Sequence, residues 1–144
     1  MPQERSAGAV VFRREKGKIV YLLLQYEKGH WEFPRGLIGD TNKDESETDA
    51  VMREIQEETG ITDAKLIDGF RETSAWFFKR DSKVVHKEAA YHLAETSQEK
   101  VTLSAEHKDF AWLPFEAAIE KATFKNAKDI LRKADAFLRE HGVQ

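Results

Sequence analysis

The sequence contains no cysteine among its 144 residues. This absence excludes disulfide bonds, thiolate zinc sites and cysteine nucleophiles. The sequence also has no stretch near the ~20 consecutive apolar residues that a membrane-spanning helix needs. Its first residues, MPQERSAGAVVF, lack the long apolar run of a signal peptide. We therefore expect a protein of the cytoplasm that does not enter a membrane.

The sequence also lacks a large excess of either charge, because it has 23 basic and 26 acidic residues and a net charge of −3. A general binder of nucleic acids or membrane surfaces would be strongly basic. Internal repeats, low-complexity tracts and linkers are also absent. A chain of this length that is 40% hydrophobic can bury a core. We expect a single domain over residues 1–144, and a monomer.

The predicted elements begin with strands, and helices lie in the middle and at the end of the chain. Asp44 is a candidate cap for the middle helix, Gly60 is suited to end it, and a bend is expected near Gly69. The segments predicted as strands are AGAVVFRR, KIVYLLLQY, AKLIDGFRETSAWFFKR and VVHKEAAYHLAE, with a long loop, GHWEFPRGLIGDTNKD, before the middle helix. The last thirty residues have helical periodicity. This order predicts an α+β fold, with a mixed β-sheet sandwiched between helices.

The middle helix crowds three acids onto one face, because Glu54, Glu57 and Glu58 are spaced i, i+3 and i+4. Each like-charge pair there costs about 0.2–0.5 kcal/mol. Their face is about 120° from the expected core-facing stripe. That stripe consists of Thr48, Val51, Met52, Ile55 and Thr59. Carboxylate oxygens are the ligands that Mg²⁺ and Mn²⁺ prefer, and Mg²⁺ often completes its shell with substrate phosphates. The acidic face therefore indicates either a metal site for a phosphorylated substrate or a solvated surface.

The segment around these acids, GDTNKDESETDAVMREIQEETGI, resembles the signature of the Nudix hydrolases at every fixed position. The matching residues are Gly39, Glu45, Arg53, Glu54, Ile55, Glu57, Glu58, Gly60 and Ile61. The resemblance implies Mg²⁺-dependent hydrolysis, with Mn²⁺ as an alternative, of a nucleoside diphosphate linked to another group. It also implies that Glu54, Glu57 and Glu58 bind metal, while Glu45 and Arg53 orient them by pairing.

The first glycine of the signature has two candidates in this chain. Many family members have a shorter stretch between a PKG sequence and the helix. Here the text is PRGLIGDTNKDE, so Gly36 follows the proline and Gly39 satisfies the count to Glu45. Both glycines remain candidates for the structural role at this stage.

The rest of the chain resembles one branch of the family, the asymmetrical diadenosine tetraphosphate hydrolases. The matching segments are AGAVVFRR, YLLLQ, HWEFPRG, GFRET, KEAAYHLAE, EHKDFAWL and ATFKNAKDIL. Enzymes of this branch cleave diadenosine tetraphosphate to ATP and AMP by attack of water on a phosphorus. The resemblance implies the same small-molecule nucleotide substrate here.

The resemblance also implies five substrate-binding residues: two cations for phosphates, two aromatic rings for an adenine, and a histidine near phosphate. They are, in that order, Arg35 and Lys87, Tyr91 and Phe124, and His30. The cations are also consistent with surface charge, and the rings with core packing. The neighbouring Trp31 is expected to be a packing residue.

The general base is not settled by the sequence. Glu106 resembles a late-loop acid that serves some family members as a further metal ligand or base. Glu57, Glu58 and Glu106 are all eligible, and Arg53 is expected to support them. A base must lie within ~3 Å of the attacking water, and spacing along the chain does not give that distance.

Other functions remain compatible with this sequence. Within the family, the substrate could be the 5′ end of RNA, a nucleoside triphosphate or an inositol pyrophosphate. RNA would favour a broader basic groove than a net charge of −3 suggests. A non-catalytic nucleotide-binding regulatory module is the alternative from another class, and it gives no reason to keep every carboxylate of a repulsive cluster.

Overall fold

A computed structural model describes residues 3–39 and 43–142 of the chain. Within these ranges there are eight strands and three helices. The strands are β1 (Gln3–Glu15), β2 (Lys18–Tyr26), β3 (Trp31–Glu32), β4 (Arg35–Leu37), β5 (Lys65–Leu66), β6 (Glu72–Arg80), β7 (Lys83–Glu95) and β8 (His107–Leu113). The helices are α1 (Glu47–Thr59), α2 (Phe115–Lys121) and α3 (Lys125–Glu140). None of these helices is long and apolar enough to cross a membrane.

All eight strands form one mixed sheet. Its centre is the parallel pair β1 and β7, which runs from Gln3 opposite His86 to Phe12 opposite Glu95. The main strand order is β3-β2-β1-β7-β5, and β4, β6 and β8 pair with β1, β7 and β2 respectively. Asp81 and Ser82 both have positive φ between β6 and β7, as a two-residue hairpin turn of type I′ requires.

The two faces of the sheet carry separate hydrophobic cores because side chains alternate along each strand. On β1, Ala9 and Val11 face α1, whereas Val10 and Phe12 face the layer that contains α2 and α3. Both sets are fully buried. The predicted sheet between helices is therefore confirmed.

Helix α1 begins later than expected. Ser46, not Asp44, is its N-cap, and the Ser46 hydroxyl accepts a hydrogen bond from the Asp49 amide at 3.1 Å. Gly60 ends the helix with a φ of 72°, as its position predicted. The core-facing stripe is also rotated, because Thr48 is exposed and Ala50 is buried.

Two further expectations need correction. The long segment before α1 is not only loop, since its β3 and β4 are hydrogen-bonded into the sheet, with Arg35 opposite Gly8. The C-terminal helical stretch is two helices separated at residues 122–124. These two features matter for function. The strand β4 lies beside α1, and the break between α2 and α3 leaves Phe124 53% exposed.

Candidate active site

A polar cavity of about 300 Å³ lies between α1, β4 and the segment before β8, and we call it the carboxylate cavity. Its lining residues are Arg35, Gly36, Leu37, Glu54, Glu57, Glu58, Ser104 and Glu106. All four glutamates proposed as metal ligands from the sequence are among them. The fold therefore brings Glu106, which is 48 residues beyond Glu58 in the chain, to the acidic face of α1.

The three acids on α1 differ in burial, which the helical spacing did not predict. Glu54 and Glu58 are only 6% and 4% exposed, whereas the Glu57 side chain is 52% exposed. The β4 strand covers the first two, and the Arg35 amide donates to Oε1 of Glu58 at 3.0 Å. Burial, followed by the charge of Glu54, raises the pKa of Glu58 to about 8. Burial also raises the pKa of Glu54.

Arg53 is the cation that holds part of this cluster. Its Nε and Nη2 donate to the two carboxylate oxygens of Glu45, at 2.7 and 3.0 Å. Its Nη1 donates to Glu54 at 2.7 Å and to Glu57 at 3.0 Å. A planar guanidinium suits this arrangement because its donors diverge at fixed angles. The geometry agrees with an orienting role for Arg53 and Glu45.

The two candidate glycines have different positions and different requirements. Gly39 has a φ of 80°, and its amide donates to Oε1 of Glu45 at 3.0 Å. Gly36 lies in β4, where an added Cβ would overlap the carboxylate of Glu54. Gly39 therefore satisfies the backbone role at the start of the signature, while Gly36 leaves room for a carboxylate.

The carboxylate cavity has suitable donor chemistry for Mg²⁺ or Mn²⁺, namely several carboxylate oxygens on a rigid helix. As placed, however, no three acidic or histidine side chains of residues 3–39 and 43–142 are grouped to hold a metal ion. As they stand, Glu54 and Glu57 are both hydrogen-bonded to Nη1 of Arg53. The donor set fits a metal in kind, and the side chains would have to converge further around it.

Sequence reasoning missed two residues at this cavity, Ser104, which lines it, and His107, which lies beside Glu58. His107 is buried, and its Nδ1 lies 3.0 Å from the hydroxyl oxygen of Ser104. Its Nε2 lies 3.8 Å from Oε1 of Glu58, and burial lowers the pKa of the ring. Both residues lie within two positions of Glu106 in the segment SAEHKDF, but nothing in that segment indicates that they approach α1.

A second cavity, of about 380 Å³, lies beside the first and is largely aromatic, so we call it the aromatic cavity. Its lining residues are His30, Glu32, Arg35, Trp76, Tyr91, Phe124, Lys125, Asn126 and Ala127. Arg35 lines both cavities. The cleft therefore combines an acidic part and an aromatic part, with one arginine at their junction.

The two predicted phosphate-binding cations both lie near Trp76, but Arg35 lines both cavities whereas Lys87 lines neither. The Arg35 guanidinium is 5.5 Å from the ring centre of Trp76, and the Lys87 ammonium is 5.9 Å from the same ring. Arg35 also pairs with Glu32 at 3.4 Å, and Lys87 lies 3.8 Å from Glu4. Trp76 was not singled out from the sequence, where it reads as an ordinary strand residue.

The predicted aromatic pair divides into one buried and one exposed ring. Tyr91 is only 2% exposed, and its hydroxyl donates to Glu32 at 2.7 Å and accepts from Arg35 at 3.0 Å. Its ring therefore forms part of the cavity floor and does not offer an open face to a base. Phe124 is exposed at the rim, with the His30 ring 5.4 Å away. Trp31 packs against the core, as expected.

Comparison with known proteins identifies close similarities over most of the chain. The NUDIX domain family profile matches residues 2–134. The asymmetrical bis(5′-nucleosyl)-tetraphosphatase of Mus musculus is 34% identical over 146 aligned residues, covering 93% of this chain and 95% of its own. The protein of the same name from Caenorhabditis elegans is 35% identical over 137 residues, covering 93% and 96%.

A solved structure gives the same result at the level of the fold. The crystal structure of a binary complex of the C. elegans Ap4A hydrolase superposes with a TM-score of 0.82 at 34% identity. The superposition covers 95% of this chain and 98% of that one. The similarity therefore extends over nearly the whole fold and not only the signature segment.

Proposed function

The chain belongs to the Nudix hydrolase family, and from that premise we propose that it cleaves diadenosine tetraphosphate to ATP and AMP. The observation that carries this proposal is the adjacency of the carboxylate and aromatic cavities, with Arg35 lining both. A dinucleoside polyphosphate requires this combination, because it presents aromatic bases and a run of negative phosphates together.

The aromatic cavity is proposed to hold one adenine and to direct the phosphate chain toward α1. Phe124 and Trp76 are its accessible aromatic walls, and stacking on such a ring contributes about 1–3 kcal/mol per base. Arg35 then faces the phosphates, Lys87 would have to reach toward them past Trp76, and His30 lines the same cavity. Tyr91 acts through its hydroxyl, which holds the Arg35 guanidinium in place.

Mg²⁺, or Mn²⁺ in its place, is the proposed cofactor, with Glu54, Glu57, Glu58 and Glu106 as the residues that would hold it. Such an ion supplies charge neutralisation at the phosphates and lowers the pKa of a bound water. Arg53 keeps the α1 carboxylates close together when their charges repel, and Glu45 fixes Arg53 through two hydrogen bonds.

Glu58 is the proposed general base. Its Oε1 accepts the Arg35 amide, so its Oε2 remains to accept a proton from the attacking water. Glu57 and Glu106 line the same cavity and remain alternatives. Of these two, Glu57 is the weaker candidate for the base, because its carboxylate is already paired with Arg53 at 3.0 Å and its side chain is half exposed.

The proposal is tested with a substrate panel in the presence of Mg²⁺. The panel contains diadenosine tetraphosphate, nucleoside triphosphates, an inositol pyrophosphate and RNA with a 5′ triphosphate, and products are identified by chromatography. ATP plus AMP from the tetraphosphate is expected. Faster turnover of RNA or of another compound in the panel would mean that this compound, and not diadenosine tetraphosphate, is the substrate. Tight binding without turnover would favour a regulatory module.

A matched pair of aromatic variants tests the nucleoside part of the proposal. Phe124→Ala removes an exposed ring at the aromatic cavity, whereas Phe77→Ala removes a ring that is 62% exposed and does not line it. Loss of stacking should raise KM by about tenfold in the first variant only. If both variants kept the wild-type KM, adenine binding would have to be placed elsewhere.

Cellular location and assembly belong to the same proposal. We place the protein in the cytoplasm as a monomer, in keeping with its balanced charge and with the small-molecule substrate. Fractionation and a sedimentation measurement test these two points.

A further inference from the structure

The two ring nitrogens of His107 have different surroundings, although the side chain is fully buried. Nδ1 lies 3.0 Å from the Ser104 hydroxyl oxygen. Nε2 finds no hydrogen-bond partner among the described residues, and it lies 3.8 Å from Oε1 of Glu58. A buried polar atom without a partner is uncommon in folded proteins and calls for an explanation.

The position of the ring is fixed by its neighbours. The His107 amide donates to the Ser104 carbonyl at 3.2 Å, which closes a tight turn before β8. The Tyr26 ring meets the imidazole edge-on with centres 4.4 Å apart. The imidazole therefore has little freedom to turn its Nε2 away from Glu58.

The hydrogen-bond partners of the ring determine which nitrogen faces Glu58 as a donor. A neutral imidazole has one N–H and one bare nitrogen. If Ser104 donates to Nδ1, the proton is on Nε2 and points toward the carboxylate. When Glu58 is ionised, the other tautomer would place a lone pair against its carboxylate oxygen, which is unfavourable. A protonated ring would also carry an N–H at Nε2, so the orientation does not depend on ring charge.

We propose that His107 is a positioning residue for Glu58 and that Ser104 selects the tautomer in which Nε2 donates. The Arg35 amide donates to Oε1 of Glu58 at 3.0 Å, and Nε2 of His107 faces the same oxygen from 3.8 Å. A small inward shift of the ring would make it the second donor and leave Oε2 for the cavity. The effect on turnover rests on the proposed function, whereas the tautomer does not. Partners that orient a metal-binding or catalytic side chain are typically worth about 10–100-fold in activity or metal affinity.

Two amide substitutions separate positioning from packing. In His107→Gln the amide nitrogen can reach the place of Nε2, whereas in His107→Asn it reaches only the place of Nδ1. We expect kcat near wild type for glutamine and a fall of about 10–100-fold for asparagine, with KM unchanged in both. Similar melting temperatures would show that both variants fold. Equal activity in the two variants, whether high or low, would overturn the proposal.

A measurement on the metal-free protein without substrate tests the tautomer directly. At a pH at which Glu58 is ionised, the imidazole ¹⁵N shifts should show the proton on Nε2 in the wild type, and Ser104→Ala should move the ring toward a mixture of tautomers. A proton found only on Nδ1 would overturn the inference even if the enzyme cleaves diadenosine tetraphosphate. The expected tautomer in a protein that cleaves nothing would support the inference and contradict the proposed function.

Discussion

The two ends of helix α1 carry the same residue type in opposite electrostatic surroundings. In the first turn, hydrogen bonds from Arg71, followed by that of His92, lower the pKa of Glu47 to about 2. In the last turn, burial, followed by the charge of Glu54, raises the pKa of Glu58 to about 8. Glu47 is hydrogen-bonded to the side chains of Arg71 and His92, whereas the Glu58 carboxyl accepts a hydrogen bond from a backbone amide.

This contrast indicates where the helix serves the fold and where it serves chemistry. Glu47 ties the start of α1 to the rest of the chain, since Arg71 donates to it at 2.8 and 2.9 Å. Glu58 is surrounded by further carboxylates, and its nearby donors are one amide and one histidine. Crowding acids in a buried place costs free energy, and the bonds from Arg53 go to Glu54 and Glu57, so a site that binds a further cation beside Glu58 is the better explanation.

The largest expected effect comes from removing the charge at the crowded end. Glu58→Gln should lower kcat for diadenosine tetraphosphate by about 10³-fold, because a general base is lost. Its melting temperature should not fall, since glutamine has the same shape and its amide oxygen can still accept the Arg35 amide, and above about pH 8 a repulsive charge is also removed. Steady-state kinetics and thermal unfolding measure both. Glu140→Gln, which makes the same change at an exposed site on α3, should alter neither quantity.

A near-normal kcat in Glu58→Gln would mean that the general base is Glu106 or Glu57. A large fall in melting temperature would mean that Glu58 supports the fold as Glu47 does. Either result would break the contrast between the two ends of the helix.

The next effect is expected from a single methyl group. In Gly36→Ala the new Cβ would overlap the Glu54 carboxylate, so that side chain must move. A displacement of ~1 Å in a catalytic group can cost about 100-fold in rate, and we expect a kcat loss of this order. Gly17→Ala is the control, because it strains a turn with a φ of 81° but has nothing near its Cβ. It should lower the melting temperature and leave kcat unchanged.

Equal kcat values for the two glycine variants would contradict the close approach of β4 to Glu54. They would also remove the reason for assigning separate roles to Gly36 and Gly39.

A smaller effect is expected from Arg53→Lys, which keeps the charge but loses the fork of donors. A lysine cannot make the paired bonds to Glu45 and also reach Glu54 and Glu57. We expect kcat to fall about tenfold, with added Mn²⁺ restoring part of it, because the α1 carboxylates are held less firmly. Arg132→Lys, at an exposed ion pair on α3, is the matched control. A wild-type rate for Arg53→Lys would show that the fork geometry is not needed.

The sequence allowed the fold class and the signature to be predicted because both depend on local spacing. Helical periodicity marked α1, and the position of Gly60 marked its end. The sequence did not indicate which acids are buried, because that depends on β4 pairing with β1 and covering Glu54 and Glu58. It also missed Trp76 and His107, which reach the cleft only through the strand pairing of β6 and β8. Contacts of this kind join residues far apart in the chain and leave no periodic trace.

The smallest effect on activity, and a distinct one on stability, is expected at the well-paired end of α1. Glu47→Gln loses its charge-assisted bonds to Arg71 and its contact with His92 at 2.6 Å. Its melting temperature should therefore fall by a few degrees near neutral pH, while kcat stays at the wild-type value. Because the folded pKa of Glu47 is depressed, this stabilisation is present above the ordinary pKa of 4.5 and is lost as pH falls toward about 2.

The difference in melting temperature between wild type and Glu47→Gln should accordingly shrink between about pH 5 and about pH 2.5. Glutamine does not titrate, so the shrinkage expected over this acidic range comes from protonation of the wild-type carboxylate. A difference that stayed constant over this range would show that Glu47 acts through shape and not through charge. A fall in kcat would show that the first turn of α1 also supports the chemistry, and the two ends of the helix could then no longer be assigned separate roles.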